Sequence, residues 1–337
     1  LFNNLRTKFI LGLSFGIIVL GGLGLYADFQ KLAQGILSFP LKYVPAILGL
    51  TLLNYILRFF KWQFFLRQIG VKGLSWQESM MLFFSGLSMV LTPGKVGEWL
   101  KSYLLRELHG TPFTRSAPII VAERLTDGIA MVLLAAGGLV VFGIGWQVML
   151  MIVALAAFII TTVQVRPMAL FFLRIAEMLP IVSKFAHHLH EMYESSTMIF
   201  NAKSLIVGIA VAVVSWGGEC VAFYLVLIGL GQEGSTLLLL KATFILAISS
   251  LGGSIFLMPG GLGVAEGGIT GLSQLLLGMS KDLAATAAII IRLSTLWFGV
   301  GVGLLFLAMI NRRLASRNAT KPESEEIGMS AGPSRPK

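Results

Sequence analysis

Two stretches of this chain, 166 residues apart, carry nearly the same twelve letters: GLSMVLTPGKVG over 86–97 and GGSIFLMPGGLG over 252–263. Six of the twelve positions are identical without a gap, and after a two-residue insertion the match resumes at a spacing of 168. That register pairs Glu98 with Glu266 and Arg124-Leu125 with Arg292-Leu293. The fold must therefore accommodate two related units. Each unit breaks a long apolar run with Pro-Gly, sets an acid just beyond the break, and places an arginine 26 residues after that acid. In membrane proteins, interrupted segments at matching positions of two halves point to a substrate site.

The solvent for such a fold is a bilayer, because 56% of the 337 residues are hydrophobic and 12% are charged, against about 25% charged in soluble domains. Six segments are long enough to cross a hydrocarbon core of about 30 Å: 9–26, 44–66, 117–143, 145–165, 204–230 and 283–309. The repeated regions, 78–108 and 239–277, each consist of two apolar pieces flanking the turn, each too short for a comfortable crossing. They are predicted to be re-entrant hairpins. Proline removes a donor and glycine relaxes φ, and irregular backbone at membrane depth survives only where protein or trapped water covers it. The turns at Pro93, Gly94 and Gly97 and at Pro259, Gly260, Gly261 and Gly263 are thus expected to face a cavity.

The expected fold is an all-α polytopic membrane protein with about six full transmembrane helices and two re-entrant helical hairpins in an inverted repeat. Inversion follows from parity: the repeats open at 44–66 and 204–230, and the crossings 44–66, 117–143 and 145–165 lie between those starts. An odd number of crossings turns the second copy over, and counting a hairpin as two crossings leaves the parity unchanged. The competing architecture is a plain bundle whose glycines serve helix packing. The membrane domain is assigned to 1–310, with repeat one at about 44–143 and repeat two at about 204–309, and 311–337 reads as a disordered cytoplasmic tail.

With the N-terminus on one side, that side collects seventeen of the loop and tail lysines and arginines, Lys101 and Arg106 among them. The other side receives four: Lys31, Lys42, Lys241 and Lys281. The asymmetry makes the first side cytoplasmic, with both termini there, in the cytoplasmic membrane. The net charge of +10 suits loops beside anionic headgroups and calls for no nucleic acid. Apolar residues 9–26 read as an uncleaved first helix, and Cys220 as a small packing residue. The HHLHEMYE stretch, with His187, His188, His190, Glu191 and Glu194, is read as the polar face of an interfacial amphipathic helix rather than as metal ligands. Neither a metal nor a cofactor is expected.

Ten ionisable residues remain within apolar segments or hairpins: Arg58, Lys61, Lys95, Arg124 and Arg292, with Glu98, Glu123, Asp127, Glu219 and Glu266. Each costs about 2.5–3.5 kcal/mol on insertion scales unless paired or wetted. Pairing is one reading. Glu123 and Asp127 are four apart on one helix face beside Arg124, and in a loose alignment of the repeat openings Arg58 falls opposite Glu219. The other reading is a polar path for a lipid headgroup. Lys95, Arg124 and Arg292 can hold a phosphate, free amides at the turns add donors, and Glu98 or Glu266 can receive an ammonium or a hydroxyl. Carboxylates at this depth can also carry coupling protons. No Ser-His-Asp set, nucleotide-binding glycine fingerprint or metal cluster stands out in the sequence.

PGKVGE at 93–98, ERLTD at 123–127, PGGLGVAE at 259–266 and the basic-aromatic RFFKW at 58–62 together resemble the lysylphosphatidylglycerol synthase transmembrane region, also described as the flippase-like domain family. The resemblance covers about residues 5–310. It implies an integral membrane protein of two inverted repeats whose best-known members move an aminoacylated phospholipid between leaflets. On that basis Lys95, Glu98, Glu123, Arg124, Asp127 and Glu266 line the lipid path. Those synthases continue into a large soluble aminoacyl-transfer domain, whereas here a 27-residue polar tail follows, so lysyl-lipid synthesis is not expected of this sequence. Other relatives stand alone or are joined to glycosyltransferase domains. The cargo is therefore left among anionic or aminoacylated phospholipids and polyprenyl-phosphate-linked glycans, with a separate lipid-modifying transferase as a partner. A lipid translocase is the leading expectation. The alternatives are a membrane-embedded transferase using Glu98 or Glu266 as general base and a proton-coupled carrier of a small anion.

Overall fold

A computed structural model of the chain describes residues 2–92, 98–142, 146–177, 186–255 and 258–319, and all regular structure among them is helical. The apolar first segment forms α1 (Phe2–Tyr26). Asp28 then caps α2 (Phe29–Leu37), accepting from the amides of Gln30 at 2.9 Å and Lys31 at 3.3 Å, and the path bends by 107°. A long helix, α3 (Val44–Gln68), follows. Ser75 caps α4 (Trp76–Leu87), its Oγ accepting from the Glu78 amide at 3.2 Å and donating to Glu78 Oε2 at 2.9 Å, and α5 (Leu100–His109) closes on Gly110 at φ 69°. Next come α6 (Phe113–Phe142), α7 (Trp146–Gln164), α8 (Arg166–Glu177) and α9 (Ala186–Ile199).

The second half runs α10 (Ala202–Gly229), α11 (Thr236–Ile255), α12 (Val264–Leu277), α13 (Lys281–Arg292) and α14 (Phe298–Ala319). A π-helical turn, Leu293–Trp297, joins the last two into one continuous rod.

Among the described residues, four helical stretches are long and apolar enough to cross a membrane: 41–68, 202–229, 236–255 and 281–313; the bent α1–α2 pair makes a fifth if counted as one span. Outward-facing Leu53, Val214 and Leu305 are 45%, 61% and 69% exposed, a surface suited to lipid rather than water. The protein is an all-helical, multi-pass membrane protein. The expected crossing at 117–143 corresponds to α6, which is 30 residues long but carries Glu123, Arg124 and Asp127 in its first half.

Two expectations need correction. The first piece of the second hairpin is not short, because α11 runs uninterrupted for 20 residues, about 30 Å at 1.5 Å per residue. Its single charge, Lys241, does not break it because the amine donates to the carbonyl of Leu276 at 2.6 Å. The chain also stays helical past Asn311, where the tail was placed: α14 continues to Ala319, and Arg313 pairs with Glu78 at 3.1 Å. Residues 320–337 lie outside the described residues.

The two halves meet where α3 crosses α10. Asn54 Nδ2 donates to the carbonyl of Ser215 at 3.0 Å, and Ser215 Oγ donates to the carbonyl of Asn54 at 3.3 Å. Leu50 lies against Gly218 and Phe65 against Gly208, so the sequence numbers run in opposite directions and the helices are antiparallel. Docking between the halves is also reciprocal. In the first half α4 packs on α14, with Phe84 stacked on Phe306 at 5.0 Å and Gly303 against the backbone of Leu87 and Ser88. In the second half α11, the counterpart of α4 in the repeat register, packs on α6 with Phe244 against Gly138. The α11–α12 pair is an antiparallel hairpin in which Gly253 touches Gly261 and Ser249 sits against Gly268. Glycine is needed there because a side chain at either position would hold the helices apart.

Candidate functional site

Close to the α3–α10 crossing lies a cavity of about 160 Å³ whose charged lining is Arg58, Glu98, Lys101, Glu123, Arg124, Glu219 and Arg292. Both halves contribute, and Tyr55, Trp216, Ser250, Ser254, Thr295 and the backbone of Gly260 and Gly261 add to its wall.

The repeat-matched residues form matched pairs. Arg124 Nε stands 3.3 Å from Glu98 Oε2, and Arg292 Nε donates to Glu266 Oε1 at 2.5 Å. In the second half the same two side chains also finish the turn. Gly263 N–H donates to Glu266 Oε2 at 2.7 Å, and Arg292 Nη2 donates to the carbonyl of Gly260 at 2.5 Å. Gly260, Gly261 and Gly263 have φ of 58°, 70° and 82°, positive values that glycine adopts without steric cost. The amides of Gly261 and Leu262 bond to the carbonyls of Met258 and Pro259. Free turn amides were expected as anion donors; at Gly261, Leu262 and Gly263 they are already engaged inside the protein.

The remaining charges fall into layers. Lys101 pairs with Glu123 at 2.5 Å and lies over the rings of Trp62 at 4.7 Å and Phe83 at 5.1 Å, an arrangement that stabilises a desolvated ammonium. Arg124 reaches Asp127, one helical turn on, at 3.2 Å. Behind them Lys61, fully enclosed in α3, donates to Asp127 at 2.5 Å and to Thr126 Oγ1 at 3.2 Å. Lys61, Asp127 and Glu266 therefore support the cavity through their partners rather than lining it. Arg58 and Glu219 do line it, but they make no direct ion pair with each other or with any other described residue. In antiparallel helices each sits one turn past the Asn54–Ser215 crossing in opposite directions, so the sequence alignment that set them opposite does not bring them into contact.

Lys95, Pro93, Gly94, Val96 and Gly97 lie outside the described residues. The side chains of His187, His188 and His190 are likewise outside them, although α9 includes these positions. Glu191 accepts from Thr114 Oγ1 at 2.8 Å.

Among the lining residues that escaped the sequence reading are Lys101, Tyr55 and Trp216. Lys101 was counted as a loop cation and is 8% exposed; its counterpart in the repeat register is Ile269, so a search by duplication passes over it. Its position three residues after Glu98 was the available signal. Tyr55 donates to the carbonyl of Thr295, in the π-helical turn where the ordinary ladder is broken. Trp216 lines the cavity with its indole N–H buried and without a hydrogen-bond partner among the described residues.

The sequence is similar over residues 10–303 to the family described as the lysylphosphatidylglycerol synthase TM region. It is also similar to two UPF0104 membrane proteins of Methanothermobacter thermautotrophicus. One is 33% identical over 117 residues, covering 34% of this chain and 33% of the relative. The other is 21% identical over 343 residues, covering 93% of this chain and 96% of the relative. This chain thus aligns with about a third of the first relative and nearly the whole of the second.

Proposed function

This chain belongs to the family of the lysylphosphatidylglycerol synthase TM region, and from that premise we propose that it is a lipid translocase, moving a polar-headgroup phospholipid or a lipid-linked precursor across the cytoplasmic membrane. In this reading about six crossings and two hairpins form an inverted repeat with both termini cytoplasmic. The antiparallel crossing of α3 and α10, with reciprocal bonds between Asn54 and Ser215, supports inversion. Equivalent helices related by a two-fold axis in the membrane plane pack this way.

The observation that carries the proposal is the pair of matched ion pairs, Glu98–Arg124 and Glu266–Arg292, brought from two halves to one polar cavity. A headgroup passes through that cavity while its acyl or prenyl chains stay in lipid, and the halves rock about the crossing. Each guanidinium has five donors, so Arg124 and Arg292 keep N–H groups for phosphate oxygens while still holding their acids. Lys95, three residues before Glu98, adds a cation. Empty, the path stays near neutral through its pairs, which limits the cost of charges at membrane depth.

The test is reconstitution into liposomes with fluorescent phosphatidylglycerol, aminoacyl-phosphatidylglycerol and a prenyl-phosphate lipid in separate preparations. Protein-dependent movement of one of them, lost in Arg124→Ala, is the expected result. Movement of none, or movement indifferent to Arg124→Ala and Arg292→Ala together, would reject the proposal.

A further inference from the structure

The described ionisable groups around the cavity balance in number, with Arg58, Lys61, Lys101, Arg124 and Arg292 against Glu98, Glu123, Asp127, Glu219 and Glu266. Four acids and four cations are tied into ion pairs. One of each sign is left, Arg58 on α3 and Glu219 on α10, the two helices that cross. Glu219 is 6% exposed, lines the cavity, and has no hydrogen bond or ion pair to any described residue. The charges acting on it are the guanidinium groups of Arg58 on α3 and Arg292 on α13 and the carboxylate of Asp127 on α6; its own charge acts on Tyr55 of α3 and on Cys220 beside it. The one cation of α11, Lys241, is bonded to the carbonyl of Leu276, and Lys42, before α3, lies over the ring of Tyr43.

A carboxylate placed this way competes with an anionic cargo for the same arginines. We infer that Glu219 couples the cavity to protons, so that one proton on Glu219 and one anionic phosphodiester headgroup are bound together. Protonation cancels the charge opposing Arg58 and leaves the described cluster one unit positive, which the phosphate then neutralises. By reciprocity the headgroup raises proton affinity as much as the proton raises headgroup affinity. An inward proton gradient therefore drives the headgroup toward the cytoplasmic leaflet. The inference rests on the translocase reading for its transport consequence, and on the cavity alone for binding.

Titration calorimetry of the purified protein with dihexanoyl phosphatidylglycerol between pH 5.5 and 8.5 tests it, because that phosphodiester keeps a single charge throughout. Affinity is expected to fall with rising pH, by up to roughly tenfold per unit. Glu219→Gln is expected to remove the slope and keep the tight, low-pH affinity at every pH. A slope that persists in Glu219→Gln, or affinity that rises with pH, overturns the inference. Should that variant fail to fold, wild-type titrations at pH 8.5 in two buffers of different ionisation heat count the protons taken up: about one supports the inference and none overturns it. Linked binding without lipid movement would reject the translocase reading alone, and lipid movement without linkage would reject this inference alone.

Discussion

Asn54 and Ser215 each give a side-chain hydrogen bond to the other's backbone carbonyl, at 3.0 and 3.3 Å. They stand 161 residues apart, the same offset that relates Arg58 to Glu219. The charged cavity lies beside this crossing of α3 and α10.

The two matched pairs are expected to differ in what they hold up. Arg292 and Glu266 are 14% and 2% exposed at their side chains, against 33% and 16% for Arg124 and Glu98. Arg292→Ala strands a buried carboxylate and the carbonyl of Gly260, and is expected to cost about 3–5 kcal/mol. Arg124→Ala is expected to cost about 1.5–3 kcal/mol. Both are expected to abolish lipid movement. Thermal unfolding in detergent, run beside the liposome assay, reads the two effects separately.

Lys61 and Asp127 form an enclosed pair behind the cavity, 1% and 4% exposed at their side chains. Removing one partner leaves an uncompensated charge, so Asp127→Asn and Lys61→Met are each expected to cost about 3–5 kcal/mol. The double variant is expected to lose less than the sum, with a coupling energy of about 1–3 kcal/mol in a double-mutant cycle. Strict additivity would mean that the pair does not act as a unit.

Gly303 carries the approach of α14 to α4. A methyl group there would lie 2.1 Å from the amide nitrogen of Ser88, whereas one at Gly301 would meet nothing within 4 Å. Gly303→Ala is expected to destabilise by about 1–3 kcal/mol or more, and Gly301→Ala to leave the melting temperature within error of the parent or slightly above it.

Orientation can be read by labelling single cysteines in a Cys220→Ala background with a membrane-impermeant maleimide. Lys42→Cys and Lys281→Cys are expected to react in intact cells. Lys72→Cys and Lys203→Cys are expected to react only after permeabilisation, as the positive-inside asymmetry of the sequence predicts.

Duplication made Glu98, Arg124, Glu266 and Arg292 legible in the letters, and the structure pairs them as the repeat register does. What the letters withheld was direction. A lysine in an apolar run reads the same whether it faces water or a partner, so Lys61 looked like a site residue and lies behind the cavity, while Lys101 looked like a loop cation and lines it. The second turn was recognised from Pro259 and its glycines, but nothing local announced that Glu266 and Arg292 would satisfy its backbone. The length of α11 was underread because Gly252 and Gly253 near its end lead straight into the Pro259 turn, and the one charge, Lys241, finds a carbonyl on the next helix. The first turn, 93–97, falls outside the described residues.

The reciprocal docking of α4 on α14 and α11 on α6 has a consequence for biogenesis. A ribosome delivers α4 early, but the surface that buries Phe84 and Ser88 belongs to α14, far later in the chain. That face of α4 has no cover from α14 until synthesis reaches it. Truncation ahead of Phe298 would therefore bare the α4 face while sparing the contact of α11 with α6, rather than yield a working half.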